Sequence, residues 1–152
     1  MKFSDQDTRI LRELQRDASL SLAALSDRLG MAQSTIWRRV NELEATGAIL
    51  RRIAVLDPSK VGTKLCIMAH VYLTDHSEEV VEGFTRLVQQ HPQIQECHKV
   101  SGGADYILKI RAADVEAYEE FQTRFLLRSP FVRSVQSSFV LKEVKATTEL
   151  PL

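Results

Sequence analysis

The stretch that most constrains this chain runs from residue 31 to 47, MAQSTIWRRVNELEATG. Ile36, Val40 and Leu43 recur at spacings of four and three, the stripe of a helix buried on one side. Gly47 follows the last periodic position, where a helix end is expected. Ahead of it, Ser21 opens a shorter run with Leu22, Leu25 and Leu29, and Gly30 breaks that run. Only Met31 and Ala32 separate the two. A further stripe, Ile10, Leu11 and Leu14, follows the cap-and-acid signal Ser4-Asp5-Gln6-Asp7. Two short helices joined by a tight turn, with another helix behind them, predict a three-helix winged/helix-turn-helix domain.

This arrangement gives the polar face of the helix at 33–46 a chemistry. Gln33, Ser34, Thr35, Trp37, Arg38 and Arg39 lie off the buried stripe. Gln reads adenine bidentately, Arg reads guanine or grips phosphate, and Ser and Thr serve either. Trp37 either packs under the helix or leans on a sugar-phosphate backbone. These six are the candidate DNA-binding residues, with double-stranded DNA as partner. The competing reading is a solvated helix face in a module used only for protein contacts.

Charge adds little to this. The chain is neutral overall, with nine basic and seven acidic residues in 1–52 against eleven and thirteen in the rest. Any electrostatic footprint must be local, around Arg38, Arg39, Arg51 and Arg52. Two cysteines, Cys66 and Cys97, make no disulfide framework, and no run is long and apolar enough to span a membrane. A cytoplasmic protein without a membrane partner is expected.

After residue 48 the pattern changes. Residues 49–57, ILRRIAVLD, alternate loosely and predict a strand, followed by a turn at Asp57-Pro58-Ser59 and a break at Gly62. Residues 65–74 predict a strand apolar on both faces: Leu65, Ile67, Ala69, Val71 and Leu73 on one, Cys66, Met68 and Tyr72 on the other. Ser77-Glu78-Glu79 opens a helix that buries Val80, Val81, Phe84, Leu87 and Val88 and ends at His91-Pro92. Strands follow at 94–100 and 106–111 around a Gly102-Gly103 turn. Asp114 caps a helix with Val115, Tyr118, Phe121 and Phe125 in register. A last strand spans 131–144. Strand, helix, strand, strand, helix, strand is the ferredoxin-like βαββαβ order, so the class is α+β. Both helices cover one sheet face. The other face carries apolar residues and needs cover, for which a second copy of the chain is the available partner. The expected domains are 1–48 for DNA, 49–63 as a hinge, and 64–152 for ligand binding and oligomerisation.

Catalytic patterns are absent, and no enzyme, cofactor or metal is expected. Cys97 and His98 are neighbours on a strand and point to opposite faces. His70 and His91 stand alone, the pairs Glu78-Glu79 and Glu119-Glu120 are solvated helix faces, and no phosphate-binding glycine motif occurs. One turn does look chemical. VSGGADY, residues 100–106, combines bare backbone with an acid. Glycine N–H groups can approach a carboxylate and Asp105 an ammonium, which together suit an α-amino acid. The plain alternative is a hairpin whose Asp accepts turn N–H bonds.

DTRILRELQRDASLSLAALSDRLGMAQSTIWRRVNELEATGAI, the hinge AVLDPSKVG, and IQECHKVSGGADYILKIRAADVEAYEEF resemble the Lrp/AsnC family of bacterial and archaeal transcription regulators. So does the tail SSFVLKEVKATTELPL, with its T-x-L-P-L ending. The resemblance runs from Asp7 to Leu152. It implies homodimers joined through their sheets, often four dimers in a disc-shaped octamer, associated with the nucleoid. It also implies amino-acid effectors, leucine or methionine among them, bound between subunits near the turn. Carried onto this sequence, the effector residues are Gly102 and Asp105, with Ser137 and Ser138 contributed from a neighbouring chain; Gly103, a candidate from the turn itself, stands with Ala104 at positions that vary in the family. Many members begin the recognition helix with Ser-Pro-Ser/Thr-Pro, whereas Ala32-Gln33-Ser34-Thr35 stands here. Which of Gln33, Ser34 and Thr35 reaches bases stays open. The reading is a sequence-specific DNA-binding regulator modulated by an amino acid. The alternatives are a nucleoid-type architectural protein without an effector and an amino-acid-metabolising enzyme with a regulatory domain.

Overall fold

The computed structural model describes residues 3–152, which form two compact units. Among the described residues, one comprises 3–55 together with Lys145–Leu152; the other is Leu56–Val144.

The first unit holds α1 (Asp5–Arg16), α2 (Leu22–Leu29) and α3 (Gln33–Ala45). Local chemistry sets their ends. Ser4 and Asp7 form a reciprocal capping box on α1: the Ser4 hydroxyl accepts the Asp7 N–H and the Asp7 carboxylate accepts the Ser4 N–H. The Ser21 hydroxyl accepts the Ala24 N–H to cap α2, and Gly30 closes it at φ 63°, a conformation costly for any residue with a Cβ. Ser26 then donates to the Met31 carbonyl at 2.6 Å and locks the turn into α3. The stripes of the three helices meet in one core of Ile10, Leu11, Leu14, Leu25, Leu29, Met31, Ile36, Val40 and Leu43. Ile10 and Ile36 are wholly buried, each contributing about 2–3 kcal/mol.

The second unit holds β1 (Leu65–Leu73), α4 (Glu78–Gln90), β2 (Ile94–Lys99), β3 (Tyr106–Ala112), α5 (Val115–Phe121) and β4 (Val132–Phe139). The sheet is antiparallel in the order β2-β3-β1-β4, as the ferredoxin-like topology requires. Ile67, Ala69, Val71, Leu108 and Ile110 face α4 and α5 across a core closed by Phe84, Tyr118, Phe121 and Leu126.

Four expectations need correction. Residues 49–57 form no strand; Ile49 closes onto the first unit by donating to the Leu43 carbonyl at 3.1 Å, and no sheet ladder forms beyond it, with Leu50, Ile53, Val55 and Leu56 exposed. Branched residues favour a strand, but a strand needs a ladder partner, and the described chain offers none there. The last strand ends at Phe139 rather than 144. Val115 is exposed, and α5 passes into a π-helical turn, Gln122–Leu127. The wider turn rotates the register, so that Leu126 is wholly buried and Phe125 only half-buried. The sheet face opposite the helices is mixed rather than apolar. Met68, Tyr72 and Ile107 are half-buried there among Glu96, His98, Lys109, Gln136 and Ser138. Among the described residues, no helix is long and apolar enough to cross a membrane, and no group of three or more His, Cys, Asp or Glu is placed to hold a metal.

Candidate DNA interface and effector turn

The surface of α3 follows from its stripe. With Ile36, Val40 and Leu43 turned inward, Gln33, Ser34, Trp37 and Arg38 are exposed and Thr35 is half-buried. Trp37 is 58% exposed. The helix starts at Gln33 with Ala32 before it and no side chain capping its first N–H groups. The Thr35 N–H donates to the Ala32 carbonyl at 3.0 Å, and N–H groups left open at a helix start can be accepted by a phosphate oxygen. Arg38 reaches only Glu42, one turn on, at 2.6 Å. An exposed pair of this kind is weak and yields readily to a phosphate.

Arg39 is placed differently from the sequence expectation. Its side chain is 21% exposed and pairs with Asp7 at 2.9 Å, and its Nη1 also donates to the Ser4 hydroxyl at 3.3 Å. Its Nε is buried without a partner. Asp7 is held below the usual carboxylate range, first by the Ser4 hydroxyl and then by Arg39. Arg39 therefore fastens α3 to the start of α1, and Arg9 makes a parallel link by donating to the Leu29 carbonyl at 2.6 Å. Spacing alone puts residue 39 off the stripe; that α1 lies over it is a tertiary fact.

The turn between β2 and β3 is anchored from both ends of its closing residue. The Asp105 N–H donates to the Val71 carbonyl, and the Asp105 carbonyl accepts from Val100. Its carboxylate accepts the Leu73 N–H at 2.8 Å through one oxygen and meets His76 Nε2 at 2.6 Å through the other. These two contacts, the His76 one first, hold the carboxyl below its usual range. Asp105 is thus 23% exposed with both oxygens engaged, while His76 is 70% exposed. The N–H groups of Gly102 and Gly103 donate to no group among the described residues. His76 was missed in the sequence: it sits in a short loop with no periodicity, and only the fold brings β1's exit beside the hairpin.

Ser137 and Ser138 do not join this turn within the chain. Ser137 lies opposite Ala69 on the helix-covered face, where its hydroxyl bonds Tyr118 at 2.5 Å and Gln122 at 3.3 Å. Burial raises the Tyr118 phenol above its ordinary range, and the Ser137 bond opposes that. Ser138 is exposed on the other face, opposite Met68. Cys97 and His98 diverge as expected: Cys97 packs against the core, where burial raises its thiol, and His98 meets Glu96 at 3.2 Å.

A three-helix unit whose third helix exposes a polar face, followed by a ferredoxin-like unit, defines a class: a DNA-binding regulator carrying its own ligand-binding domain. Comparison with known proteins agrees. Residues 3–49 match the winged helix-turn-helix DNA-binding family, and residues 66–150 match the Lrp/AsnC ligand binding domain. The chain is 38% identical over 144 residues to the leucine-responsive regulatory protein of Escherichia coli strain K12, covering 95% of this chain and 88% of that protein. It is similar to an AsnC family transcriptional regulator from Agrobacterium tumefaciens, with a TM-score of 0.93, 36% identity, and 98% and 97% of the two chains covered. It is also similar to a Neisseria meningitidis transcriptional regulator in complex with L-methionine, with a TM-score of 0.95, 33% identity, and 99% and 97% covered. The chain belongs to the Lrp/AsnC family of DNA-binding transcriptional regulators, which carry an amino-acid ligand-binding domain. The family resemblance, the fold class and the regulator function anticipated from the sequence all hold.

Proposed function

We propose that α3 reads DNA through Gln33, Ser34, Thr35, Trp37 and Arg38, with Arg39 holding the helix in place. The observation that carries this is the exposure of the helix's N-terminal face, with a large aromatic and a weakly paired arginine standing on it. In this reading residues 1–48 contact DNA, 49–63 connect, and 64–152 bind the effector. The functional unit is a homodimer, assembling further into an octamer of four dimers, in the bacterial or archaeal cytoplasm. The exposed apolar run at Leu50, Ile53, Val55 and Leu56 supports a partner copy, since isolated chains rarely leave such a row in water.

The effector is a free α-amino acid. Its carboxylate accepts the N–H groups of Gly102 and Gly103, and its ammonium takes the Asp105 oxygen that His76 occupies in the free chain. Exposed His76 is displaced at little cost, while the Leu73 N–H keeps the carboxylate aimed. Side-chain choice then rests on an apolar wall, where one methylene is worth about 1–3 kcal/mol. Leucine and methionine are the first candidates, given the leucine-responsive relative and the methionine complex of the Neisseria regulator. A neighbouring chain's Ser137 and Ser138 complete the site only if Ser137 leaves Tyr118. Titration calorimetry tests the reading: Asp105→Ala should abolish amino-acid heats and leave DNA binding of the free protein intact. A folded Asp105→Ala that binds as tightly as the parent moves the site elsewhere. A parent that binds no amino acid favours the effector-free, architectural reading.

A further inference from the structure

The DNA and effector readings leave residues 147–152, TTELPL, without a task. The structure lays them against α1. The Gln15 amide accepts the Leu150 N–H at 2.9 Å and donates to the Leu150 carbonyl at 3.1 Å. One side chain thus meets both backbone polar groups of one residue, as a neighbouring strand would. Arg12 Nε donates to the backbone oxygen of Leu152 at 2.7 Å, and Arg16 Nε pairs with the Glu149 carboxylate at 3.2 Å. The Glu149 N–H turns back to the Thr147 hydroxyl at 3.1 Å. The same segment follows directly from a second anchorage. After β4, Val140 donates to the Cys66 carbonyl at 2.9 Å, and Glu143 pairs with Arg111 at 2.9 Å, which is only 14% exposed. Three residues, Val144, Lys145 and Ala146, separate the two anchorages.

We propose that residues 147–152 are a latch and that the Arg12-Gln15-Arg16 edge of α1 is its receptor. By chain order the segment leaves the ligand-binding domain; by contact it belongs to the DNA-binding unit. Latching therefore adds a second attachment between the two, beside the connector at 49–63. A domain held at two points has fewer arrangements to lose when it meets DNA, and paired recognition helices then act at a higher effective concentration. The affinity part of this proposal rests on the α3 reading above.

Amide exchange followed by mass spectrometry on the full chain tests the latch. Peptides covering 147–152 should be protected in the parent, and Gln15→Ala should remove that protection while circular dichroism stays unchanged. Arg16→Glu should weaken protection, and Arg16→Glu with Glu149→Arg should restore it. A tail that exchanges at the free-chain rate in the parent, or stays equally protected in Gln15→Ala, overturns the latch. Gln15→Ala should also weaken binding to a duplex with two half-sites about tenfold, and leave a single half-site unaffected. Unchanged affinity with protection lost overturns the coupling. Failure of α3 as the reader is a separate result: Arg38→Ala would then bind DNA normally, whatever the tail does.

Discussion

Arg38 and Arg39 are neighbours in the chain with opposite surroundings. Arg38 stands in solvent with a weak partner, so Arg38→Ala should change stability by no more than about 0.5 kcal/mol. If it reads a base, its loss should cost about 1–3 kcal/mol of DNA binding; if it grips phosphate, the salt slope should fall by about one unit. Arg39→Ala removes the charged partner of the half-buried Asp7 carboxylate, leaving it Ser4 alone, and should destabilise the DNA-binding unit by about 1–3 kcal/mol. Thermal melts and salt-dependent anisotropy titrations, run on each single variant, separate the two. A double variant would mix unfolding with lost contact. Asp7 adds a pH signature. Its folded carboxyl lies below the ordinary value of 3.8, so its stabilisation is fully present above that value and is lost as pH falls through the depressed one. Melting curves of the parent and Asp7→Asn should differ near neutrality and converge in strong acid.

Among the elements, those whose instructions are local were the most legible. Ser4, Ser21, Ser77 and Asp114 all cap helices as the sequence indicated, because a cap needs only residues three positions away. The stretch at 49–57 was misread for the complementary reason: strand propensity is local, but strand formation waits on a partner. The π-helical turn has no signature in residue type, and it moved the buried position from Phe125 to Leu126. The glycines and Asp105 of the turn at 100–106 were legible as a tight turn carrying an acid, yet His76, which meets Asp105, was not, because only the tertiary fold delivers it. Gly83 likewise looks ordinary until the packing is seen. A Cβ there would overlap the ring of Phe131, which lies against α4. Ala ought to favour the helix by about 1 kcal/mol, but overpacking costs about 1–3 kcal/mol, so Gly83→Ala should lower the melting temperature of the ligand domain. Adding Phe131→Leu should recover part of the loss; a Gly83→Ala protein as stable as the parent would show that the ring yields freely.

For the whole molecule, the question is what covers the surfaces one copy leaves bare. The sheet face opposite the helices is mixed, and five large apolar side chains, Leu50, Ile53, Val55, Leu56 and Val61, stand exposed along the connector. In the proposed dimer these surfaces would make an interface that combines apolar contact with polar pairing. Sedimentation should find dimers or larger species at micromolar concentration, and the twofold pair of α3 helices should favour a near-palindromic operator with half-sites about one helical turn, or a multiple of it, apart. A well-folded monomer across that range would remove the basis for the palindrome.

The bare connector also carries Arg51 and Arg52, side by side on backbone that no ladder protects. Trypsin needs an accessible stretch free of helix and sheet, so its first cut should fall there. The rate of that cut should follow the protease rather than global unfolding, because opening the site costs almost nothing. The nick then becomes a ruler for assembly. If copies shield one another's connectors, digestion should slow as protein concentration rises, at a constant ratio of enzyme to substrate. If the stretch stays bare in every assembly, the rate should not change. A band on a gel would thus report whether this row of side chains is a seam between copies or an exposed cord between two halves.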